Sequence, residues 1–289
     1  MKAAAFEYAA PRTVGEAVEL LAQNADDASV LAGGQSLVPL LALRLAAPAL
    51  LVDVNRVAGL DEIARANGHV RVGALVRHSQ LTRPGSPADV VPLLGLAAPH
   101  IGHFQIRNRG TVVGSLTHAD AAAEWPLVAI TLDAEIELRS ARGGRTVRAT
   151  EFFEAPFTTA RTPDELAVAV WFPVWGPGAG FGLAEFARRS GDFAIAGAAC
   201  GVEVADGRIT RCVIGLLGLA GVPLRAQTAE AALIGTAVDE VDAEEIGRNV
   251  TADLTPPSDI HATGRYRRRV GAAMVARALT SALQEARHD

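Results

Sequence analysis

A short segment rich in glycine and proline divides this sequence into two unequal parts. Four of the six residues at positions 175–180 are Gly or Pro, a density that favours a loop over a helix or strand. The chain has 289 residues, which is twice the ~150 residues of an ordinary domain. The sequence therefore predicts two domains, residues 1–175 and residues 176–289.

Before the break, short strands alternate with helices and turns. Thr13 and Glu16 have the spacing of an N-cap and its capping-box partner, which predicts a first helix. Helix-like periodicity covers 88–103, and we expect 39–47 to be irregular or helical. The apolar or alternating segments that predict strands lie at 29–32, 50–54, 69–73, 134–139, 145–148 and 166–172.

After the break, the turn Asp206-Gly207-Arg208 separates two strand-like segments, 201–204 and 209–214, and so predicts a β-hairpin. Helical segments follow, and we expect them at about 228–235, 242–252 and 263–286. Strands followed by helices predict a small α+β domain.

The counts of cysteine and lysine exclude several kinds of site. Cys200 and Cys212 are the only cysteines, so this chain cannot by itself build a four-thiolate iron–sulfur cluster, a cysteine-rich zinc module or a disulfide framework. The single lysine, Lys2, excludes an internal Schiff base and a phosphate loop that ends in Gly-Lys. A net charge of -5 disfavours general nucleic-acid binding. The dinucleotide motif G-x-G-x-x-G and the nucleophile-elbow motif G-x-S-x-G are both absent from the sequence.

The N-terminal sequence and the apolar stretches bear on location. The first ten residues carry one basic residue and no long apolar run, unlike a secretory signal. The longest apolar stretch, around 212–224, has about 13 residues, fewer than the ~20 needed to span a bilayer. We therefore expect a cytoplasmic protein.

Two separated segments combine glycines with small polar residues. The first, Gly33-Gly34-Gln35-Ser36, follows a predicted strand, and its successive backbone N–H groups can form a nest that binds an anion. The second, at 107–116, again places Gly beside Ser and Thr in apolar sequence. Each segment alone can be an ordinary loop between two elements. Together they suit a ligand that carries two linked phosphates.

Several other side chains leave alternatives open. A histidine and carboxylate group has the right donor types for a metal, but its spacing matches no sharp metal-binding motif. The carboxylates could instead accept hydrogen bonds from polyol hydroxyls. Phe193 could stack on a planar ring or belong to the core. The members of the histidine and carboxylate group are His100, His103, His118, Asp120 and Glu124.

Taken in order, these segments resemble the FAD-binding medium subunits of the molybdenum hydroxylases, the group that contains bacterial carbon monoxide dehydrogenase and xanthine dehydrogenase. The resemblance covers nearly the whole chain. Several ordered motifs are far more specific than any one of them. They read AGGQSL at 32–37, QIRNRGT at 105–111, HAD at 118–120, GDFA at 191–194 and RYRRR at 265–269.

The resemblance implies an α+β fold. Residues 1–175 would form an FAD-binding domain of the vanillyl-alcohol-oxidase (PCMH) type, with subdomains at about 1–55 and 56–175. Residues 176–289 would form the C-terminal α+β domain of the carbon monoxide dehydrogenase flavoprotein type, a three-stranded sheet with helices.

The same resemblance implies an FAD site. Residues 32–36 would bind the pyrophosphate through backbone N–H groups, and Phe193 would stack near the isoalloxazine ring. No catalytic acid, base or metal ligand is expected in this chain. The residues implied in FAD binding are Ala32, Gly33, Gly34, Gln35, Ser36, Leu37, Ile101, Thr111, Gly114, Ser115, Asp120, Glu124, Ala167 and Phe193.

The resemblance further implies a redox complex, and two alternatives to it stay open. A large subunit would hold the molybdenum cofactor and a small subunit the [2Fe-2S] clusters, in a dimer of heterotrimers. This chain would take electrons from those clusters and pass them through FAD to an external acceptor. The alternatives are a self-contained flavin oxidase or dehydrogenase, and a non-catalytic assembly paralogue that binds FAD weakly. The visible spectrum of the purified chain, with its turnover alone, separates the three.

Two residues depart from the family pattern. Val113 replaces the first of two successive glycines, and a β-branched residue would be costly there if that position needs a positive φ. Glu185 stands where relatives often have a lysine near the flavin. We therefore hypothesise weaker FAD binding through Val113 and a less favourable reduced, anionic flavin through Glu185.

Overall fold

The computed structural model describes residues 2–286, so both outer ends of the predicted domain division, residue 1 and residues 287–289, lie outside the described residues. The helices are α1 (Val14–Gln23), α2 (Leu37–Leu43), α3 (Pro92–Ala97), α4 (Phe104–Arg107), α5 (Val112–His118), α6 (Glu124–Leu132), α7 (Ala149–Phe152), α8 (Gln227–Leu233), α9 (Ala243–Thr251) and α10 (Gly264–Glu285). The strands are β1 (Glu7–Ala9), β2 (Ala28–Leu31), β3 (Leu50–Asp53), β4 (Ile63–Ala66), β5 (His69–Gly73), β6 (Glu135–Ser140), β7 (Gly143–Arg148), β8 (Phe153–Ala155), β9 (Thr158–Thr159), β10 (Leu166–Pro173), β11 (Ala179–Phe186), β12 (Ala196–Ala205), β13 (Arg208–Leu217) and β14 (Leu224–Arg225).

The N-terminal part contains a small parallel sheet in the order β1-β3-β2. The helix α1 lies between β1 and β2 in the chain and begins as the sequence predicts. The Thr13 hydroxyl accepts a hydrogen bond from the Glu16 N–H at 3.1 Å. The Glu16 carboxylate accepts from the N–H of Arg12 at 2.7 Å, one residue before the N-cap. The first contact satisfies an N–H group of the first helical turn, and the second pairs an N–H group just before the helix.

The middle of the chain forms an antiparallel sheet in the order β4-β5-β10-β6-β7. The predicted hairpin is present between β6 and β7, with Gly143 at a φ of 133° in its turn. The central strand β10 shifts register against β6 between Ala167 and Ala169, which marks a β-bulge. This irregularity lies near the start of β10, beside the cleft described below.

The C-terminal part is built on an antiparallel sheet in the order β11-β12-β13-β14. The predicted hairpin joins β12 to β13. Its turn residues Asp206 and Gly207 have φ values of 52° and 71°, the left-handed pair that an Asp-Gly turn favours. Three long strands agree with the predicted three-stranded sheet. The structure adds the two-residue strand β14 at its edge.

One helix, α6, is buried on every side and connects the two large sheets. All nine of its residues are buried, and it contacts α3, α5, β10, β12 and β13. A helix that is apolar all round needs apolar neighbours all round. The close approach to β13 depends on Gly215, because a Cβ there would overlap the hydroxyl of Thr131.

The predicted helix at 88–103 differs from expectation, whereas the segment 39–47, expected to be irregular or helical, is helical in part. The segment 88–103 breaks into 3₁₀ turns and the short helix α3, because prolines such as Pro92 and Pro99 lack the N–H that a continuous helix needs. The segment 39–47 is helical only as far as Leu43. Arg44 then adopts a left-handed conformation with a φ of 59° and ends α2.

Membrane insertion is a separate question. Among residues 2–286, no helix combines the length and the apolarity that crossing a bilayer requires.

The packing of α10 on the C-terminal sheet yields a test of the fold. A Cβ at Gly182 would overlap the backbone carbonyl of Ala278 in α10, and backbone cannot move aside cheaply. We expect Gly182→Ala to lower the free energy of unfolding by about 1–3 kcal/mol in urea titrations. Gly176→Ala is the matched control, since nothing lies within 4 Å of its Cβ position. Equal unfolding midpoints for the two variants would contradict this packing.

Candidate functional site

A cleft of about 440 Å³ lies where the three parts of the chain meet. Its walls come from β2 and the loop after it, from the segments around α5 and β10, and from the loop between β11 and β12. The structure brings all fourteen residues of the predicted FAD site to this cleft. They are Ala32, Gly33, Gly34, Gln35, Ser36, Leu37, Ile101, Thr111, Gly114, Ser115, Asp120, Glu124, Ala167 and Phe193.

The first glycine segment touches the second backbone to backbone. A Cβ at Gly33 would overlap the carbonyl oxygen of Arg109 and lie 2.7 Å from the Cα of Gly110. Gly34 has a φ of 73°, a conformation that L side chains rarely adopt. Ser36 precedes α2 without a side-chain capping hydrogen bond, so its hydroxyl is available to a ligand.

Two side chains outside the predicted set hold these segments together. Asn55 donates a hydrogen bond to the carbonyl of Ala32 at 2.8 Å. Arg77 donates both to the side-chain oxygen of Asn55, at 2.7 Å, and to the carbonyl of Arg109, at 2.6 Å. The guanidinium of Arg77 therefore bridges the two sides of the cleft floor. Sequence reasoning missed both residues because neither lies near a glycine motif.

The second segment is not a loop beyond Thr111, as the sequence analysis expected, but the helix α5. Thr111 is its N-cap, and its hydroxyl accepts a hydrogen bond from the N–H of Gly114 at 3.1 Å. Threonine is a favoured N-cap, which explains why the chain turns helical here. Gly114 and Ser115 therefore present the first turn of a helix to the cleft rather than a loop.

Because residue 113 lies in this helix, the strain expected at Val113 is absent. The described non-glycine residues with positive φ do not include Val113. Its side chain is only 2% exposed and packs in the main core. Valine at this position therefore does not have to adopt a left-handed backbone conformation. The physical basis of the hypothesis that Val113 weakens FAD binding is wrong.

Apolar and aromatic groups line part of the cleft. Ile101 and Ala167 are buried, and Ala167 sits at the bulge of β10. Phe193 is 63% exposed, so it is not a core residue. An exposed aromatic ring at the rim of a cleft is free to stack on a planar ligand.

Acidic groups gather at the start of α6. Glu124 is only 5% exposed, and burial followed by the charge of Glu185 raises its pKa to about 8. The Glu185 carboxylate lies 3.1 Å from Nδ1 of His100, and this hydrogen bond raises the pKa of His100. Asp120 accepts a hydrogen bond from the N–H of Ala122 at 2.9 Å.

Two basic residues on the cleft wall also escaped the sequence analysis. His78 accepts a hydrogen bond at Nδ1 from the indole N–H of Trp125, 2.8 Å away. Burial lowers the pKa of His78 to about 3, so the ring is neutral and Nε2 carries its hydrogen. Arg161 donates to the backbone carbonyl of Glu165 at 2.7 Å. No local sequence signal distinguishes either residue from other surface or core positions.

The structure also bears on the metal-site alternative and on the two cysteines. Residues 2–286 contain no group of three or more His, Cys, Asp or Glu side chains able to hold a metal ion. The ring of His118 instead packs against Phe157, with 5.1 Å between ring centroids. Cys200 and Cys212 are buried as free thiols in the C-terminal core. Burial raises the pKa of both thiols, that of Cys212 to about 12, as expected of packing residues.

The walls of the cleft fit an anionic ligand with a planar ring. Gly33 packs against backbone with no room for a Cβ, and Gly34 adopts a conformation suited to glycine, so main-chain groups border the cleft there. Ser36 offers a free hydroxyl on the same side. The exposed ring of Phe193 and the apolar Ile101 offer surface to a ring system. FAD has this combination of pyrophosphate and planar ring.

Two family models together match most of the chain. The model described as FAD binding domain in molybdopterin dehydrogenase matches residues 4–175. The model described as CO dehydrogenase flavoprotein C-terminal domain matches residues 182–282.

Relatives match over nearly their whole length. The chain is 42% identical to the 6-hydroxypseudooxynicotine dehydrogenase complex subunit alpha of Paenarthrobacter nicotinovorans, over 99% of this chain and 97% of the relative. It is 33% identical to the carbon monoxide dehydrogenase medium chain of Hydrogenophaga pseudoflava, over 96% of each. It superposes on a carbon monoxide dehydrogenase structure from that organism with a TM-score of 0.94, at 36% identity and 99% coverage of both chains. Quinoline 2-oxidoreductase from Pseudomonas putida 86 gives the same TM-score at 38% identity, again over 99% of both chains.

The neutral state of His78 predicts how stability depends on pH. The folded pKa of about 3 lies below the ordinary 6.5, so below pH 6.5 the unfolded chain takes up a proton that the folded chain refuses. The contribution of His78 to the free energy of unfolding is therefore fully present above pH 6.5 and falls as the pH drops towards 3. Between pH 6.5 and 4.5 we expect the wild type to lose about 2 kcal/mol more unfolding free energy than His78→Asn.

In this comparison, asparagine keeps an acceptor for Trp125 but cannot titrate. Urea unfolding at several pH values measures the two slopes. His69→Asn, at a partly exposed strand position, is the control and should follow the wild type. Parallel slopes for the wild type and His78→Asn would refute the buried neutral histidine.

Proposed function

Because the chain belongs to the FAD-binding medium subunits of the molybdenum hydroxylases, we propose that it carries electrons from iron–sulfur clusters of a partner subunit to an external acceptor, through FAD held in the cleft. Its cofactor is FAD, and it is a subunit of an oxidoreductase, with the α+β fold of its family. The observation that carries the proposal is the convergence on one cleft of the fourteen residues that the resemblance implies in FAD binding.

Each side of the cleft has its own task in this proposal. The backbone N–H groups of residues 32–36 and the Ser36 hydroxyl bind the pyrophosphate, which carries the charge of the ligand. Thr111, Gly114 and Ser115 bind next to it from the first turn of α5. Bound FAD supplies a ring that accepts and gives up electrons, while these residues hold it in place.

The other end of the cleft shapes the ring site. Ile101 and Ala167 present buried apolar walls that keep water away from the ring. Phe193 stacks over it from the loop between β11 and β12. Asp120 and Glu124 supply polar positions. No proton transfer by a side chain of this chain is needed for electron passage, so no catalytic acid or base is assigned.

The source of the electrons lies on other chains in this proposal. Two free cysteines, both buried in the C-terminal core, cannot ligate a four-thiolate cluster. The partners are a large subunit with the molybdenum cofactor, where substrate is hydroxylated, and a small subunit with [2Fe-2S] clusters. We propose a dimer of such heterotrimers. One relative is itself named as a subunit of a dehydrogenase complex, which supports membership in a multi-subunit assembly.

We also propose the domain division made from the sequence. The parallel sheet draws all its strands from the proposed subdomain 1–55. The five-stranded sheet β4-β5-β10-β6-β7 draws all its strands from 56–175. The C-terminal sheet lies wholly within 176–289. Each unit therefore has its own sheet, and the cleft lies where the units meet.

A variant that fills the cleft tests the site. Ser115 lines the cleft from α5 and is partly buried, so Ser115→Leu places an apolar side chain where the ligand lies. We expect FAD to bind this variant about tenfold more weakly, a loss of about 1.4 kcal/mol, in fluorescence titrations of the full chain. Ser281→Leu on the exposed face of α10 is the matched control and should bind like the wild type. Equal affinities for both variants would remove Ser115 from the site.

Purification from the native source tests the complex. We expect the chain to co-purify with a large molybdenum protein and a small cysteine-rich protein, with flavin, iron and molybdenum in fixed ratio through gel filtration. Flavin in an isolated chain that turns over small substrates alone would instead support a self-contained oxidase. A colourless chain that cannot be reconstituted with FAD would support an assembly role.

A further inference from the structure

We propose that Glu124 faces the cleft as a neutral carboxylic acid, and that its proton is required for tight binding of the cofactor. This inference rests on the proposed function, because it concerns the state of one wall of the FAD site. It goes beyond that function by assigning a protonation state, and therefore a pH dependence, to ligand binding.

The first argument for a neutral Glu124 is its buried position. It is the first residue of α6, it lines the cleft, and only 5% of it is exposed. Within residues 2–286, its carboxyl group has no hydrogen bond or ion pair to the side chain of another residue. Its carboxyl group does accept a hydrogen bond from its own backbone N–H, which eases ionisation only in part. A buried carboxylate with no side-chain partner is disfavoured, whereas a protonated one is tolerated.

The neighbours of Glu124 make ionisation harder still. Glu185 on β11 places a second carboxyl group close by, with a side chain only 6% exposed. One oxygen of Glu185 is hydrogen-bonded to His100, and the other is buried without a partner. Asp120, in the turn before α6, adds a further negative charge. His100 is the one basic group among these neighbours, and its hydrogen bond is to Glu185.

The start of a helix opposes this effect, but it is outweighed. The N-terminus of α6 favours a negative charge at its first residue through the helix dipole. Burial and the charge of Glu185 act in the other direction and are the two largest influences on Glu124. They raise its pKa from 4.5 to about 8. At pH 7 the acid is therefore protonated in most molecules.

The protonation state matters because the ligand is an anion. A neutral acid can donate its O–H to an oxygen or nitrogen of the cofactor, and it adds no repulsion. An ionised Glu124 would lose that donor and place a second negative charge beside Glu185. FAD binding and deprotonation of Glu124 therefore compete, and affinity falls as the pH rises through the pKa.

Titration of the full chain with FAD between pH 6 and pH 9 tests this competition. If only the protonated form binds well, the apparent Kd for the wild type rises about tenfold from pH 7 to pH 9. Glu124→Gln keeps a neutral, hydrogen-bonding side chain, so its Kd should stay flat over this range. Asp192→Asn is the matched control, because it removes an acid from the exposed rim of the same cleft and should keep the tenfold rise.

A second variant keeps the test decisive if Glu124→Gln does not fold. Glu185→Gln removes the neighbouring charge, so the pH at which FAD affinity begins to fall should move downward. Calorimetry of wild-type FAD binding at pH 8.5, in buffers with different ionisation enthalpies, should show proton uptake. Circular dichroism confirms the folding of each variant.

Three results would overturn the inference. They are a flat wild-type Kd from pH 7 to pH 9, an undiminished tenfold rise in a folded Glu124→Gln, and FAD binding at pH 8.5 without proton uptake. A wild-type chain that binds no FAD at pH 6.5 would instead count against the proposed function itself, so the two failures are distinguishable.

Discussion

The complete burial of α6 is the constraint on which the rest of the structure depends. Its nine residues are enclosed by both large sheets and the helices α3, α5 and α7, so its position fixes how the C-terminal sheet meets the FAD-binding part. Near its start, Trp125 donates to His78, and towards its end Thr131 packs against the bare backbone of Gly215. Glu124 at its first position is held in the cleft by the same packing. The conformational preference of glutamate alone would not bury its carboxyl group, so the packing of α6 must do so.

The cleft itself is formed by backbone that approaches backbone. Gly33 packs against Arg109 and Gly110 at distances that any side chain would prevent. Arg77 and Asn55 then secure this contact through hydrogen bonds to the main chain on both sides. Main-chain donors held in this way are already oriented before a ligand arrives, which lowers the entropy that binding costs.

Local chemistry explains which features could be predicted from the sequence. The hairpin at Asp206 and Gly207 and the helix that starts at Thr13 follow from turn and capping preferences of the residues involved. The members of the cleft were recognised through ordered family motifs, not through any one of them. By contrast, the bridge formed by Arg77 joins positions separated by more than twenty residues on either side. Such contacts exist only after folding. The helix α5 was missed because its glycine and serine residues suggested a loop, although Thr111 is a good N-cap.

The cleft contains few positive charges that could offset the carboxyl groups of Glu124 and Glu185. Arg161 is the only arginine or lysine among the cleft-lining residues that the structure describes, and backbone carbonyls of residues 162, 163 and 165 occupy one of its nitrogens. Glu165 on the same wall is neutralised by Arg145. Near α6, the hydrogen bond of His100 is made to Glu185, so Glu124 has no basic side chain as a hydrogen-bond partner. With one arginine on its walls, the cleft has little positive charge to offset an ionised Glu124 when an anionic ligand binds, and the proposed proton on Glu124 removes that negative charge.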